Sequence, residues 1–194
     1  MVNTDKEQDT LRRAALGVAA VIAMAAAGHA QAANCEMQMS TSRFDYGQLS
    51  RTELDAQKPE AGGVSLGRRT ATLNITCEQP TTMVLRFDAP SAASGTFVFA
   101  ERGNYVMKIS EAHLDGSAVA LGRISAPGQV PQAAKMSETF ESGEGVGLVT
   151  DGRPARGRHL TAQIEIETRV PSEALRVRSE TQLTGQGQLQ LIER

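Results

Sequence analysis

Apolar and polar residues alternate along much of the chain with a period of two, which is typical of half-buried β-strands. The Gln79-Pro80 pair is expected to separate the first two strands of this kind. No window of 11 residues after position 32 carries apolar residues at helical spacing, although residues 173–176 could form a single helical turn. Many short strands separated by turn signals predict an all-β fold, either a sandwich or a barrel. The alternation is clearest in four segments: 71–77, 83–87, 160–170 and 183–191.

Shorter strands are predicted between the long ones, around 97–99 and from Tyr105 to Ile109. The Asp115-Gly116 pair predicts a tight turn after them. The segment 123–158 is different, because it contains several glycines and prolines and its periodicity is weak. We expect mainly loops there, with one or two short strands.

The first 32 residues have the pattern of a secretory signal peptide. Two arginines precede an apolar run at 14–27, and an A-x-A site ends at Ala32. Together these features predict cleavage after Ala32. The alternative is a transmembrane anchor, which needs about 20 apolar residues, and this run is shorter. We therefore expect residues 1–32 to be removed and residues 33–194 to form a single exported domain.

Both cysteines lie in the predicted exported part, where an oxidising compartment favours a disulfide. Cys35 and Cys77 are 42 positions apart, and neither C-x-x-C spacing nor nearby histidines suggest a thiol pair or metal site. Closing a loop of that size stabilises the fold by roughly 4 kcal/mol in the chain-entropy model. Cys77 shares its parity with Leu73 and Ile75, so the bridge is expected to join the first strand to this one at the core edge.

Charge and side-chain chemistry point away from several classes of function. The formal net charge is −2, which gives no basis for a nucleic-acid or anionic-membrane partner. After position 32 the histidines are His113 and His159, and neither has a second ligand at metal-binding spacing. We predict no catalytic residues, no metal and no cofactor, and expect that the protein is not an enzyme.

Two further motifs have ordinary structural explanations. The glycines at 143–147 lack the preceding strand and following lysine of a phosphate-binding loop, so a flexible loop is predicted. Met37 and Met39 are thioethers that could bind copper(I), but alternate methionines beside Cys35 are better explained by packing within a strand.

An ordered set of motifs covers most of the exported part except the segment 123–158. The motifs are Cys35, 44–50, 73–77, 87–88, 99–109, 114–116 and 183–191. The set resembles the subunits of pili assembled by the chaperone/usher pathway, and more narrowly fimbrial proteins of the β-fimbria type. The resemblance implies an immunoglobulin-like β-sandwich that lacks one strand. In such proteins a periplasmic pilus chaperone supplies that strand first, and another fimbrial subunit supplies it after passage through an outer-membrane usher.

The resemblance also implies where the missing strand would bind, in a groove beside the C-terminal strand. Adding a strand there would satisfy main-chain groups and fill pockets with alternate side chains. Gly185 and Gly187 are expected to leave room for an incoming side chain. The other possibility is an ordinary closing strand in a complete sandwich. The residues expected to line the groove are Leu183, Gly185, Gly187, Leu189 and Leu191.

Two features depart from the usual pattern of these subunits. An alternating strand usually precedes the first cysteine, whereas predicted cleavage leaves only Ala33 and Asn34 ahead of Cys35. Such a subunit could accept a strand but not donate one, so we expect a fibre tip or a minor initiating subunit. An aromatic residue often stands next to last, whereas this chain has Glu193 there.

The leading hypothesis is therefore a structural or adhesive fimbrial subunit exported through the periplasm to the cell surface. Arg153, Arg156 and Arg158 cluster in a turn-rich segment and are candidates for contact with an acidic host or surface glycan, although a solvated loop is the alternative. The competing hypothesis is a free-standing secreted or periplasmic sandwich that binds a sugar or metal.

Overall fold

The computed structural model describes residues 34–55, 63–93, 95–175 and 181–193. The predicted signal peptide lies outside these ranges, as does Arg176, the last residue of the predicted helical turn. The helical elements within them are α1 (Arg51–Asp55) and a 3-10 helix (Ser172–Leu175). No helix of the described residues is long and apolar enough to cross a membrane. In chain order the strands are β1 (Cys35–Met39), β2 (Val64–Thr81), β3 (Met83–Asp88), β4 (Ser91–Ala93), β5 (Thr96–Phe99), β6 (Gly103–Leu114), β7 (Ser117–Ala118), β8 (Ala120–Ile124), β9 (Gln132–Lys135), β10 (Ser137–Thr139), β11 (Gly145–Thr150), β12 (Arg153–Pro154), β13 (Gly157–Val170) and β14 (Gln188–Glu193).

The strands form two antiparallel sheets whose apolar faces share one core. The first sheet has the order β1-β2-β13-β6-β5-β4, and β7 and β10 also pair with β6. The second sheet has the order β14-β3-β11-β8-β9, and β12 also pairs with β11. This arrangement confirms the predicted all-β sandwich.

The predicted parity of the long strands is confirmed by burial. Leu73 and Ile75 on β2 are 0% and 1% exposed, and Leu85 on β3 is 1% exposed. Their neighbours Asn74 and Thr76 point to solvent. Each fully buried aliphatic side chain of this kind stabilises the fold by about 1.5–3 kcal/mol, so the alternating faces supply most of the favourable free energy.

The disulfide between Cys35 and Cys77 is confirmed. The two residues lie directly opposite each other on β1 and β2, and Met37 and Met39 lie opposite Ile75 and Leu73. The bridge therefore attaches a five-residue strand at the sheet edge to β2, whose inward side chains Leu73 and Ile75 are buried in the core.

The prediction for the glycine-rich segment was wrong, because residues 145–150 form β11 in the middle of the second sheet. The inward residues Val146 and Leu148 are 3% and 1% exposed, but the outward face is also covered. A Cβ at Gly147 would lie 2.6 Å from Pro131 Cγ and 2.9 Å from Ile124 Cδ1. The glycines are required for that close packing, and they hide the alternation because they contribute no apolar side chain.

Two predicted strand boundaries also differ from the structure. β2 continues through Gln79-Pro80 to Thr81, where Thr81 pairs with Gly157 after a register shift. The final strand begins at Gln188 and not near residue 183, because the preceding residues turn away from β3 to contact the first sheet.

The connection between β1 and β2 covers part of the core and contains the short helix α1. The Ser50 amide donates to the Glu53 carboxylate at 2.9 Å, and the Glu53 amide donates to Ser50 Oγ at 3.3 Å, which is a capping box. The hydroxyl groups of Tyr46 and Thr168 share a hydrogen bond at 2.9 Å, and the Arg69 guanidinium lies 4.9 Å from the Tyr46 ring centroid.

An ion cluster joins the two sheets on the side that carries β8 and β10. Arg123 on β8 donates to Glu138 on β10 at 2.7 Å, and Glu138 is 4% exposed. Glu141 also accepts a hydrogen bond from Arg123, and Glu144 lies 3.5 Å from the same guanidinium. The hydrogen bond to Glu138 raises the pKa of Arg123 above its ordinary value. Lys135 Nζ also lies 4.0 Å from the Glu138 carboxylate, but the lysine side chain is 63% exposed. Removing Arg123 would therefore leave the nearly buried Glu138 with only a distant, solvated cation.

We predict that Arg123→Met lowers the free energy of unfolding by about 3 kcal/mol, as expected for breaking a buried ion pair. The matched control is Arg86→Met, because Arg86 pairs with Asp88 at 3.1 Å on the same sheet and both side chains are more than a third exposed. The control should cost less than about 1 kcal/mol. Urea denaturation followed by circular dichroism measures both changes. Equal losses of stability in the two variants would contradict the stabilising role of the ion cluster.

Candidate functional site

Two strands at the ends of the sheets border one opening of the sandwich. β1 ends the first sheet and β14 ends the second, and each pairs with a strand on one side only among the described residues. The Cys35 amide donates to the Glu193 carboxylate at 3.1 Å, so the start of β1 and the end of β14 lie close together. We call this opening the edge groove and define it by Cys35, Met37, Met39, Leu189 and Leu191.

The side chains of the edge groove are less covered than those of the adjacent strands. Met37 and Met39 are half-buried, although Ile75 and Leu73 directly opposite them on β2 are 1% and 0% exposed. All five groove residues pack against the core from its margin. The core is therefore closed beneath β2 and β3 and incompletely covered between β1 and β14.

Leu189 and Leu191 show the same contrast on the second sheet. Both are half-buried, whereas Phe87 and Leu85, their partners on β3, are 6% and 1% exposed. The apolar margin thus has two walls, one from each sheet.

The main chain of β1 also presents unpaired groups to the edge groove. Ser40, which continues β1, donates its amide to the Thr72 carbonyl at 2.9 Å, whereas the Cys35 amide points away from β2 to Glu193. Successive residues of a strand alternate in this direction, so Met37 and Met39 direct their N–H and C=O groups like Cys35. No strand of the described ranges pairs with them on that side. An added strand would find both hydrogen-bonding groups and apolar side chains here.

The strands at the opposite ends of the two sheets are irregular. β4 pairs with β5 through a register shift between Ser91 and Ala93. β9 pairs with β8 through a register shift between Leu121 and Arg123 of β8. Ala133 of β9 has a φ of 51°. Bulges of this kind hinder the addition of another strand. Of the four strands at the ends of the two main strand orders, β1 and β14 pair without such a shift. The short strands β7, β10 and β12, of two or three residues each, also pair without a shift.

The residues predicted to line a groove fall into two groups. Leu189 and Leu191 lie in β14 and belong to the edge groove, whereas Leu183 is half-buried outside that strand. A Cβ at Gly185 would lie 2.8 Å from Phe99 Cδ2, and one at Gly187 would overlap the Phe87 ring. The expectation that these glycines leave room for an incoming side chain is corrected, because aromatic rings of the chain's own core fill that space.

Residues 181–187, which we call the C-terminal strap, connect to the first sheet by two hydrogen bonds. The Ala100 amide donates to the Thr184 carbonyl at 2.8 Å, and the Tyr105 hydroxyl donates to the Gln186 carbonyl at 3.1 Å. Tyr105 is 5% exposed, and its burial raises its pKa to about 12. The strap thus fixes where β14 starts, and so where the edge groove ends on that side.

The three arginines considered for glycan contact lie on the exposed connection from β12 into β13. The Arg156 guanidinium donates to the Pro80 carbonyl at 3.1 Å, and no carboxylate of the described part of the chain forms a salt bridge with Arg153, Arg156 or Arg158. Asp115 holds the main chain beside them, and the amide of His159 lowers the pKa of that carboxylate.

The sequence does not identify Met37 and Met39 as residues of the edge groove, nor Glu193 as the residue at one end of it. The sequence pattern predicts packing within a strand for both methionines and marks Glu193 only as a departure from the usual pattern of the family. The usable signal for the methionines was their parity with Cys35 on a strand that has a partner on one side only. For Glu193 no sequence signal exists, because its contact with the Cys35 amide joins residues at opposite ends of the described chain.

No protein-family model and no curated protein matches the chain. Among solved structures it is similar to the crystal structure of the P pilus rod subunit PapA, at 12% sequence identity and a TM-score of 0.44. The alignment covers 82% of this chain and 99% of that chain. The proposed function therefore rests on the geometry of the edge groove.

We predict that Tyr105→Phe reduces the loss of stability in alkali. Between pH 10 and about 12 the unfolded tyrosine releases its proton while the buried one keeps it, so the folded state binds more protons and stability falls as pH rises. For wild type this loss is roughly 2–3 kcal/mol. The phenylalanine variant should lack it but should lose about 1 kcal/mol near neutrality with the Gln186 hydrogen bond.

Urea denaturation at pH 8, 10 and 11.5 measures both effects. The slope that remains in the variant includes Tyr46, whose pKa is also raised by burial. Equal slopes in wild type and variant would contradict the assignment of the effect to Tyr105.

Proposed function

We propose that the chain is a subunit of a bacterial surface fimbria that completes its β-sandwich with a strand from a partner. The observation that carries the proposal is the pair of regular edge strands β1 and β14, whose inward side chains are half-buried while their neighbours are fully buried. A complete sandwich would cover Leu189 and Leu191 as it covers Leu85. The resemblance of the ordered motifs to subunits of the chaperone/usher pathway supports the same assignment.

The physical reason for strand addition is that the edge groove combines two unmet requirements. Main-chain groups of Met37 and Met39 lack a strand partner among the described residues, and apolar surface of Leu189 and Leu191 remains in water. A partner strand with alternating apolar residues satisfies both at once, because its backbone pairs with the edges and its side chains enter between the sheets.

The partners that follow from this proposal are a periplasmic pilus chaperone during export, an outer-membrane usher and other fimbrial subunits. The groove would hold the chaperone's strand first and a neighbouring subunit's strand afterwards. The protein would thus pass through the periplasm and remain at the cell surface. In that position the exposed residues Arg153 and Arg158 would be available to carboxylate or sulfate groups of a glycan. Arg156 would contribute the donors that its hydrogen bond to the Pro80 carbonyl leaves free.

We further propose that the subunit occupies the end of a fibre. This part rests on cleavage after Ala32, which leaves two residues ahead of Cys35. Two residues are too few to form a donor strand for a neighbouring subunit's groove, if that groove is bordered by a strand as long as the six-residue β14. The amide of Cys35 is also already engaged with Glu193.

We predict that Leu189→Glu/Leu191→Glu abolishes complex formation with a co-expressed periplasmic pilus chaperone. The matched control is Gln188→Glu/Gln190→Glu, which adds the same charge to the same strand on its outward face. The control should form a one-to-one complex like wild type, because its changes do not enter the edge groove. Affinity purification of the chaperone followed by size-exclusion chromatography measures the complex.

A wild-type chain that folds alone into a protease-resistant monomer and ignores the chaperone would contradict strand addition. That outcome would favour a free-standing sugar- or metal-binding module. If both double variants bound the chaperone equally, the groove would lie elsewhere on the chain.

We predict that immunogold labelling of assembled fibres places this subunit at fibre ends. Labelling along the whole shaft would contradict the end-of-fibre position while leaving the strand-accepting function intact. Mass spectrometry of the exported protein checks the premise, since the mature chain should begin at Ala33.

A further inference from the structure

We infer that Met37 and Met39 form an oxidation-sensitive pair whose conversion to sulfoxides closes the edge groove to a partner strand. The inference rests on the proposed function, since it concerns regulation of the same groove. Packing within a strand explains why Met37 and Met39 are apolar, whereas the inference concerns the reactivity of their sulfur atoms.

The position of the two methionines distinguishes them from the other methionines after residue 32. Met37 and Met39 are half-buried on a strand that ends a sheet, with no described strand beside them on the groove side. Met83 and Met107 lie in the core at 0% and 2% exposure, and Met136 is 61% exposed away from the groove. Met83 and Met107 can therefore serve as buried references, and Met136 as an exposed reference, for the rate of methionine oxidation.

The reaction needs only a peroxide as co-reactant. A sulfur lone pair attacks one peroxide oxygen, the O–O bond breaks, and a sulfoxide and water form, so sulfur loses two electrons and the peroxide gains them. No thiol of this chain competes, because both cysteines are joined in the disulfide next to Met37. A methionine sulfoxide reductase reverses the change by oxidising a dithiol and releasing water.

The product changes the wall of the groove from apolar to polar. Two sulfoxide oxygens would lie on a groove margin that is otherwise apolar, since Leu189 and Leu191 also pack against the core from its edge. Covering an unpaired polar group is unfavourable, so strand binding should weaken at least about tenfold. A strand already seated would instead cover both methionines, so the sensitive state is the empty groove.

The first test is oxidative footprinting of the refolded full-length mature chain with hydrogen peroxide, read by peptide mass spectrometry. Met37 and Met39 should gain oxygen much faster than Met83 and Met107 in the free chain. In the complex with a periplasmic pilus chaperone they should be protected, while Met136 reacts equally in both. Reaction of Met37 and Met39 as slow as that of Met83 would overturn the inference.

The second test measures chaperone affinity before and after peroxide treatment. Oxidised wild type should bind at least about tenfold more weakly than reduced wild type, and a methionine sulfoxide reductase should restore binding. Met37→Leu/Met39→Leu keeps apolar volume and should bind equally before and after treatment. Met136→Leu is the matched control and should behave like wild type.

The outcomes separate this inference from the functional proposal. If reduced wild type does not bind the chaperone, strand acceptance itself fails. If reduced wild type binds and its oxidised form binds equally well, only the inference about oxidation fails. Circular dichroism of the oxidised protein excludes unfolding as the cause of weaker binding.

Discussion

The attachment of β1 to β2 is the constraint on which the open side of the sandwich depends. A five-residue strand paired on one side gains little from its own main-chain bonds, and its apolar side chains are only half covered. The Cys35–Cys77 bridge holds this strand in register regardless of how well its inward face is packed. The strand can therefore stay in place while leaving apolar surface and main-chain groups exposed beside it. Without the covalent link, those same exposed groups would favour detachment or aggregation.

The two sides of the sandwich are closed by different kinds of interaction. On the side of β8 and β10, Arg123 joins the sheets through a nearly buried carboxylate on Glu138 and two further glutamates. On the side of β1 and β14, the Cys35 amide donates to the Glu193 carboxylate at one end of the opening. The first side has directional, charged partners that cannot be exchanged cheaply. The second side is bordered by apolar side chains, whose contacts impose no such directional requirement.

The sequence was sufficient to predict the class of fold, the disulfide and the inward faces of the longest strands, because Leu73, Ile75 and their neighbours alternate cleanly. It failed at β11, where Gly145 and Gly147 replace outward side chains and packing from Pro131 and Ile124 covers the second face. It failed at the start of β14 for a similar reason, since Gly185 and Gly187 continue the parity of a strand while actually passing over aromatic rings. The ion cluster was invisible because Arg123 and Glu138 come from different sheets. The groove was placed near residues 183–191 by resemblance, and its second wall on β1 appeared only with the pairing of the strands.

The irregular pairing of β4 and β9 has a consequence for the form of any assembly. Among the described residues, the ends of the two main strand orders offer one regular apolar opening, while the opposite ends of both sheets are disturbed by register shifts. Under the proposed function, such an opening admits a single incoming strand. A molecule that accepts one strand and, after cleavage ahead of Cys35, donates none would have one connection to its neighbours. It would terminate a fibre and could not act as a branch point.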